Sequence, residues 1–216
     1  MRVKICGVTR AEDALLASEL GAWAVGFVFW PGSPRHVGAA AAEAIARQLP
    51  AQVARVGVFV DQPLEDVREI AGAVGLTFVQ LHGAEPPAFG RALARPVIKA
   101  VSLEQAMTPH VLDDWAHATL LVDGRDPARP HAGGRVVDWA RTAEVAARRD
   151  IVLAGGLKAD NVAEAIRAAR PRAVDVSSGV ERAPGVKDAR QMRAFFAAVA
   201  AVAAERADAL ARGEPS

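Results

Sequence analysis

Short apolar runs alternate with amphipathic stretches from one end of the chain to the other. The apolar runs cover residues 3–6, 24–29, 55–60, 78–81, 97–100, 119–122, 151–153 and 173–176. Most are solidly apolar with no alternation, the pattern of strands buried on both faces of a parallel sheet. Helix-like stretches lie between and after them at 9–20, 38–49, 63–74, 86–93, 103–112, 138–148, 159–168 and 188–212. Thr9 is placed to cap the first helix, with Glu12 at the capping-box position and Gly21 beyond its end. Pro50 stops the second, while Pro63 opens the third and Gly75 follows it. Eight strand–helix units share 216 residues, 27 each, which predicts an α/β fold closed into a (β/α)8 TIM barrel at the small end of its size range. An open doubly wound sheet has the same periodicity and is the alternative. No linker, low-complexity run or charge block divides the chain, so one domain over 1–216 is expected, with 213–216 a frayed tail.

Composition narrows the classes of function. Lys and Arg number 26 against 25 Asp and Glu, a net charge of +1, which leaves no electrostatic footprint for nucleic acid. The N-terminus lacks a charged region followed by a long apolar run, and the alanine-rich stretch 195–204 is too short to span a bilayer. No membrane partner is therefore expected. The single cysteine, Cys6, excludes an intrachain disulfide and fits a reducing cytoplasm. Oligomeric state is not readable.

In a barrel the loops after the strands share one mouth, where the chemistry of the fold resides. Those loops carry Cys6-Gly7, Trp30-Pro31-Gly32-Ser33-Pro34-Arg35-His36, Asp61, His82-Gly83, Lys99-Ala100-Val101, Asp123-Gly124-Arg125-Asp126, Ala154-Gly155-Gly156-Leu157 and Ser177-Ser178-Gly179. The opposite loops, such as Gly21-Ala22 and Pro171-Arg172, are plain by comparison. This asymmetry points to an enzyme or a ligand-binding barrel. Barrels commonly hold a phosphate between the loops after the seventh and eighth strands. Glycine lets backbone N–H groups approach an anion, and Ser177 and Ser178 each carry a hydroxyl. Paired glycines also form ordinary tight turns, so the succession of Gly-Gly and Ser-Ser-Gly one unit apart carries the argument.

Cys6 and Asp123 end the first and sixth strands, well apart around the mouth, and suit an acid and a base on opposite sides of one substrate. A lone cysteine is also a small buried hydrophobe, and Asp123 has alternatives in an ion pair with Arg125 or a helix cap. A free thiol has a pKa of about 8.5, so Cys6 as a base needs a neighbouring cation. Lys4, two residues earlier, points the same way along the strand. Asp123 as an acid needs its pKa raised by burial or by a nearby anion. Asp126 is its rival. Arg35 and His82 are candidate partners for an anionic ligand.

Taken in order, several segments resemble the phosphoribosylanthranilate isomerase family of tryptophan biosynthesis. They are Lys4-Ile5-Cys6-Gly7 with Thr9, Gly26-Phe27-Val28-Phe29 with Ser33-Pro34-Arg35, Val56-Gly57-Val58-Phe59-Val60 and Val79-Gln80-Leu81-His82-Gly83. Asp138-Trp139, Leu153-Ala154-Gly155-Gly156-Leu157 with Asn161-Val162, and Val174-Asp175-Val176-Ser177-Ser178-Gly179-Val180-Glu181 with Pro184-Gly185-Lys187-Asp188 complete the set. The resemblance implies an Amadori rearrangement of N-(5-phosphoribosyl)anthranilate, a phosphorylated small molecule, without cofactor or metal. It implies Asp123 as acid and Cys6 as base. It also implies a substrate-binding set of Lys4, Arg35 for the anthranilate carboxylate, His82, Asp175, and Gly155, Gly156, Ser177, Ser178 and Gly179 for the phosphate. The family's Gly-Gly-Thr-Gly or Gly-Gly-Ser-Gly loop is replaced by His131-Ala132-Gly133-Gly134-Arg135-Val136-Val137, about two residues shorter. Alternatives are a pentulose-phosphate epimerase, an indole-glycerol-phosphate synthase, or a barrel that binds a sugar phosphate without turning it over.

Overall fold

A computed structural model describes residues 1–124 and 137–211. Arg125, Asp126, the replaced loop up to Val136 and the tail 213–216 therefore lie outside the described residues. The strands are β1 (Arg2–Cys6), β2 (Ala24–Val28), β3 (Ala54–Phe59), β4 (Phe78–Leu81), β5 (Val97–Ser102), β6 (Thr119–Asp123), β7 (Ile151–Leu153) and β8 (Ala173–Val176). They pair in parallel and in sequence order, and β1 pairs with β8 to close the barrel. The expected (β/α)8 barrel is the fold, and the open sheet is excluded by that last pairing.

Alternate strand residues serve two cores, which is why the runs carry no polar stripe. Ala24, Ala54, Val56, Ile98, Ala100, Leu121, Val152 and Ala173 form one cluster, the filling of the barrel. Val3, Ile5, Val25, Phe27, Phe59, Val79, Leu81, Leu120, Leu153 and Val174 belong to the larger cluster shared with the helices. Register places Lys4 level with Ala24 on one side and Asp175 on the other, and Cys6 level with Gly26. The same alternation brings Lys4, Cys6, Asp123 and Asp175 to the interior side of their strands toward the C-terminal end.

The helices are α1 (Ala11–Glu19), α2 (Ala39–Ala46), α3 (Leu64–Val74), α4 (Pro87–Ala92), α5 (Leu103–Ala106), α6 (Pro109–Asp114), α7 (Trp139–Ala146), α8 (Val162–Ala169) and α9 (Ala189–Ala211). Three expectations are corrected. The capping box at Thr9 does not form: Arg10 is the N-cap, and the Thr9 hydroxyl donates to the Gly185 carbonyl at 2.6 Å. Glu12 pairs with Arg10 instead. The helix expected over 103–112 is two short ones, because Pro109 has no N–H to continue the first and starts the second. A 3-10 turn (Ser178–Val180) and a hairpin of β9 (Glu181–Ala183) and β10 (Val186–Lys187) stand between β8 and α9, where the periodicity showed nothing.

Candidate active site

The barrel mouth holds a cavity of about 260 Å³, of the order expected for a small-molecule site. Its lining includes Cys6, Trp30, Arg35, Gln80, His82, Asp123, Gly155, Gly156, Asp175, Ser177 and Ser178. Residues at the ends of β1, β2, β4, β6, β7 and β8 are gathered there as expected, whereas Asp61 and Lys99 are not in the wall, Lys99 donating instead to the Gly83 carbonyl and to Glu85. Lys4 and Gly179 are the two expected site residues outside this wall. Lys4 is fully buried beneath the cavity. A Cβ on Gly179 would lie against the Leu157 carbonyl, closing the loop after β8 onto the one after β7.

Cys6 ends β1 and is buried. Lys4 shares its side of the strand, and Gly26 on β2 makes room for both. A Cβ there would stand 3.0 Å from Cys6 Sγ and 3.2 Å from Lys4 Cε. Lys4 Nζ donates to Asp175 Oδ1 at 3.0 Å. Burial alone would push the Lys4 ammonium down, but Asp175 and Cys6 more than offset it and hold it above its ordinary value. The thiol behaves otherwise. Burial pushes Cys6 up, the Lys4 charge pulls it down less strongly, and the net direction is upward. The cation expected beside the cysteine is present, yet the loss of water outweighs it.

Asp123 ends β6, facing the cavity with its side chain 10% exposed. His82 Nε2 stands 3.5 Å from Asp123 Oδ2, at the outer limit of hydrogen-bond distance. His82 Nδ1 lies 3.2 Å from the Gln80 amide nitrogen. Beside Asp123 the loop after β7 passes so closely that a Cβ on Gly155 would lie 2.9 Å from its Oδ1. Gly155 and Gly156 adopt φ of +92° and +63°, a left-handed conformation natural to glycine. Asn161 fixes the loop by donating to the Gly156 carbonyl at 3.0 Å and accepting from the Lys158 N–H at 2.9 Å.

Across the mouth, Ser177 Oγ is buried, faces the cavity and has no hydrogen-bond partner. Buried hydroxyls are normally paired, so this one is available to a ligand. Gly7, with φ of +70°, lets the Arg35 side chain and Ser177 close on the end of β1, since a Cβ would meet Arg35 Cδ at 2.5 Å. Arg35 forms a two-pronged pair with Glu181, Nε to Oε1 at 2.9 Å and Nη2 to Oε2 at 2.7 Å. Burial pushes the Glu181 carboxyl up, but the Arg35 hydrogen bonds and the Lys187 charge outweigh it and hold it below the usual carboxylate range. Trp30, Gln80, Glu181 and Lys187 were not among the expected site residues. Gln80 carried a signal: an amide in the middle of an apolar strand, 1% exposed, with its carbonyl oxygen unpartnered. Among the described residues no group of three His, Cys, Asp or Glu converges on a metal-sized site.

A closed barrel with a thiol, carboxylates and glycine loops at its C-terminal mouth belongs to the (β/α)8-barrel enzymes. Comparison with known proteins narrows that class. The family described as N-(5'phosphoribosyl)anthranilate (PRA) isomerase matches residues 3–198, and the chain belongs to it. N-(5'-phosphoribosyl)anthranilate isomerase of Pelobacter propionicus is 46% identical over 196 residues, spanning 91% of this chain and 94% of that protein. The crystal structure of phosphoribosyl anthranilate isomerase from Thermus thermophilus superposes with a TM-score of 0.85 at 46% identity, over 94% of this chain and all of that one. A further phosphoribosyl anthranilate isomerase structure holds reduced 1-(o-carboxyphenylamino)-1-deoxyribulose 5-phosphate. It matches with a TM-score of 0.81 at 40% identity, over 93% of this chain and 99% of that one.

Proposed function

We propose that this protein converts N-(5-phosphoribosyl)anthranilate to 1-(2-carboxyphenylamino)-1-deoxyribulose 5-phosphate, the Amadori step of tryptophan biosynthesis, with Asp123 as acid and Cys6 as base. The supporting observation is that the only cysteine of the sequence and a buried aspartate line one cavity from strands β1 and β6. Asp123 in its acid form gives its proton to the furanose ring oxygen. The C1–O bond breaks as the anilinic nitrogen forms an iminium. The Cys6 thiolate takes the proton from C2, and the electrons of that C–H bond make the C1–C2 double bond of an enolamine. A proton added at C1 and one lost from the C2 hydroxyl complete the ketone, so no electrons enter or leave.

The remaining groups divide the substrate between them. Ser177, Ser178 and the Gly155-Gly156 backbone receive the phosphate, Ser177 with an otherwise unpaired hydroxyl. Arg35 receives the anthranilate carboxylate. Trp30, Val58 and Val60 line an apolar side of the cavity for the aromatic ring, while Gln80, His82 and Asp175 face the sugar. Among the described residues no helix is long and apolar enough to cross a membrane.

Loss of phosphoribosylanthranilate fluorescence tests the assignment. The parent protein turns substrate over, while folded Cys6→Ser and Asp123→Asn lose about a hundredfold to ten-thousandfold, the scale of general acid–base catalysis. Turnover retained by Asp123→Asn moves the acid to Asp126. A folded parent that leaves the fluorescence unchanged overturns the function.

A further inference from the structure

Glu181 takes no part in the proton transfers above, yet several donors converge on it. Its side chain is 4% exposed and receives the Arg35 pair, the Lys187 ammonium at 2.8 Å and the Gly185 N–H at 3.3 Å. Lys187 has no exposed side-chain surface. Its ammonium spends its other protons on two backbone carbonyls, Cys6 at 2.5 Å and Ser177 at 3.2 Å. An ammonium has three protons, and these acceptors use all of them. The Lys187 N–H in turn donates to Asp13 at 3.0 Å, and Arg10 grips Asp13 through both carboxylate oxygens, anchoring the hairpin to α1.

Two cations with a buried carboxylate between them are expensive to desolvate, and apolar residues would fill the same space at less cost. What the arrangement supplies is a connection. The strand ends that carry the base and the phosphate loop, at Cys6 closing β1 and Ser177 after β8, are strung on one ammonium. The carboxylate that holds this ammonium also holds the guanidinium beside the cavity. We propose that Glu181 is a positioning residue, which aims Arg35 at the substrate carboxylate and, through Lys187, holds the backbone of Cys6 and Ser177 in register with it. The inference rests on the reading of Arg35 as the partner of that carboxylate.

The experiment compares two ligands: reduced 1-(o-carboxyphenylamino)-1-deoxyribulose 5-phosphate and its phenyl counterpart without the carboxylate. Calorimetric affinities are measured for the parent, Arg35→Gln and Glu181→Gln. Arg35→Gln weakens the carboxylate-bearing ligand alone, and this control tests the underlying reading. If it weakens both ligands equally, the carboxylate assignment of Arg35 fails first. Glu181→Gln is expected to cost the carboxylate-bearing ligand about tenfold to a hundredfold, the scale of a charge-assisted hydrogen bond, and the phenyl ligand much less. With the Arg35 control intact, an equal loss for both ligands, or none for either, makes Glu181 a purely structural anchor and overturns the proposal. Should Glu181→Gln not fold, Glu181→Asp keeps the charge on a shorter arm. The same ligand pair then decides: a loss confined to the carboxylate-bearing ligand supports the positioning role, and an equal loss or none overturns it.

Discussion

Replacing Lys4 by methionine removes a cation with no exposed surface from beside Asp175, which is 9% exposed. At an effective dielectric of about 20, unit charges at their 3.0 Å separation attract by about 5.5 kcal/mol. Taking each ion out of water costs several kcal/mol, so the pair as a whole contributes little. Breaking it is different, because the surviving carboxylate stays in the barrel without its cation. Lys4→Met should therefore lose about 3–5 kcal/mol, roughly 6 to 20 °C in Tm for a domain of this size. Lys4→Met combined with Asp175→Leu removes both ions and should return to within about 2 kcal/mol of the parent. Activity should not follow stability. Lys4 lowers the Cys6 thiol more than Asp175 raises it, so without either group the thiol moves further up. Each unit of that rise costs about tenfold in thiolate at neutral pH. The assay is thermal denaturation beside the pH profile of kcat. The double variant should be stable yet slow near pH 7, with its alkaline rise displaced to higher pH. A parent-like profile in the double variant would refute Lys4 as the group that sets the charge on Cys6. A parent-like Tm in Lys4→Met would refute the account of the pair.

The other predictions concern the glycine loop and pH. Gly155→Ala forces a side chain into φ of +92° and toward the Gly124 backbone nitrogen, 2.4 Å from the new Cβ. It should lose about 2–4 kcal/mol, and a displaced Asp123 should cost about a hundredfold in turnover; unchanged kcat and Tm would show that the loop yields freely. Glu181 is held low in the fold, so its contribution to stability is present above its unfolded value of about 4.3 and is lost as pH falls through its folded value. Chemical denaturation between neutral and acid pH should therefore fall less steeply for Glu181→Gln than for the parent. Cys6 is held high, so its contribution is complete below about pH 8.5 and is lost as pH rises from there toward the folded value. Cys6→Ala should flatten that alkaline decline in the same measurement.

The strands were legible because a barrel buries both faces of each one, leaving runs such as Leu120-Leu121-Val122 with no competing period. Pro109 announced the break between α5 and α6, and only the apolar spacing of 103–112 obscured it. Thr9 is a different case. Nothing local distinguishes a capping hydroxyl from one that donates to Gly185, 176 residues away. The hairpin after β8 was illegible for want of length, since strands of three and two residues make no pattern.

The same division runs through the site. Cys6, Asp123, the Gly155-Gly156 loop and the Ser177-Ser178-Gly179 loop stand at strand ends, and closure alone brings strand ends together, so topology placed them without knowledge of any contact. Lys4 shows where that reasoning stops. Strand alternation put it on the side of Cys6, but its ion pair belongs to Asp175 on the strand that closes the barrel. Its charge is accordingly shared between a carboxylate and a thiol. Arg35 and Glu181 are separated by 146 residues, and neither belongs to a periodic element that would predict their meeting. The mouth alone would have identified Arg35 as a free cation awaiting an anion. In the fold it already has an internal one, Glu181, so under the proposed assignment a substrate carboxylate would meet a guanidinium anchored before it arrives, which lowers the entropic cost of ordering that side chain on binding. Aim and charge therefore come from different residues, and a substitution at Glu181 can disturb the first while leaving the second intact.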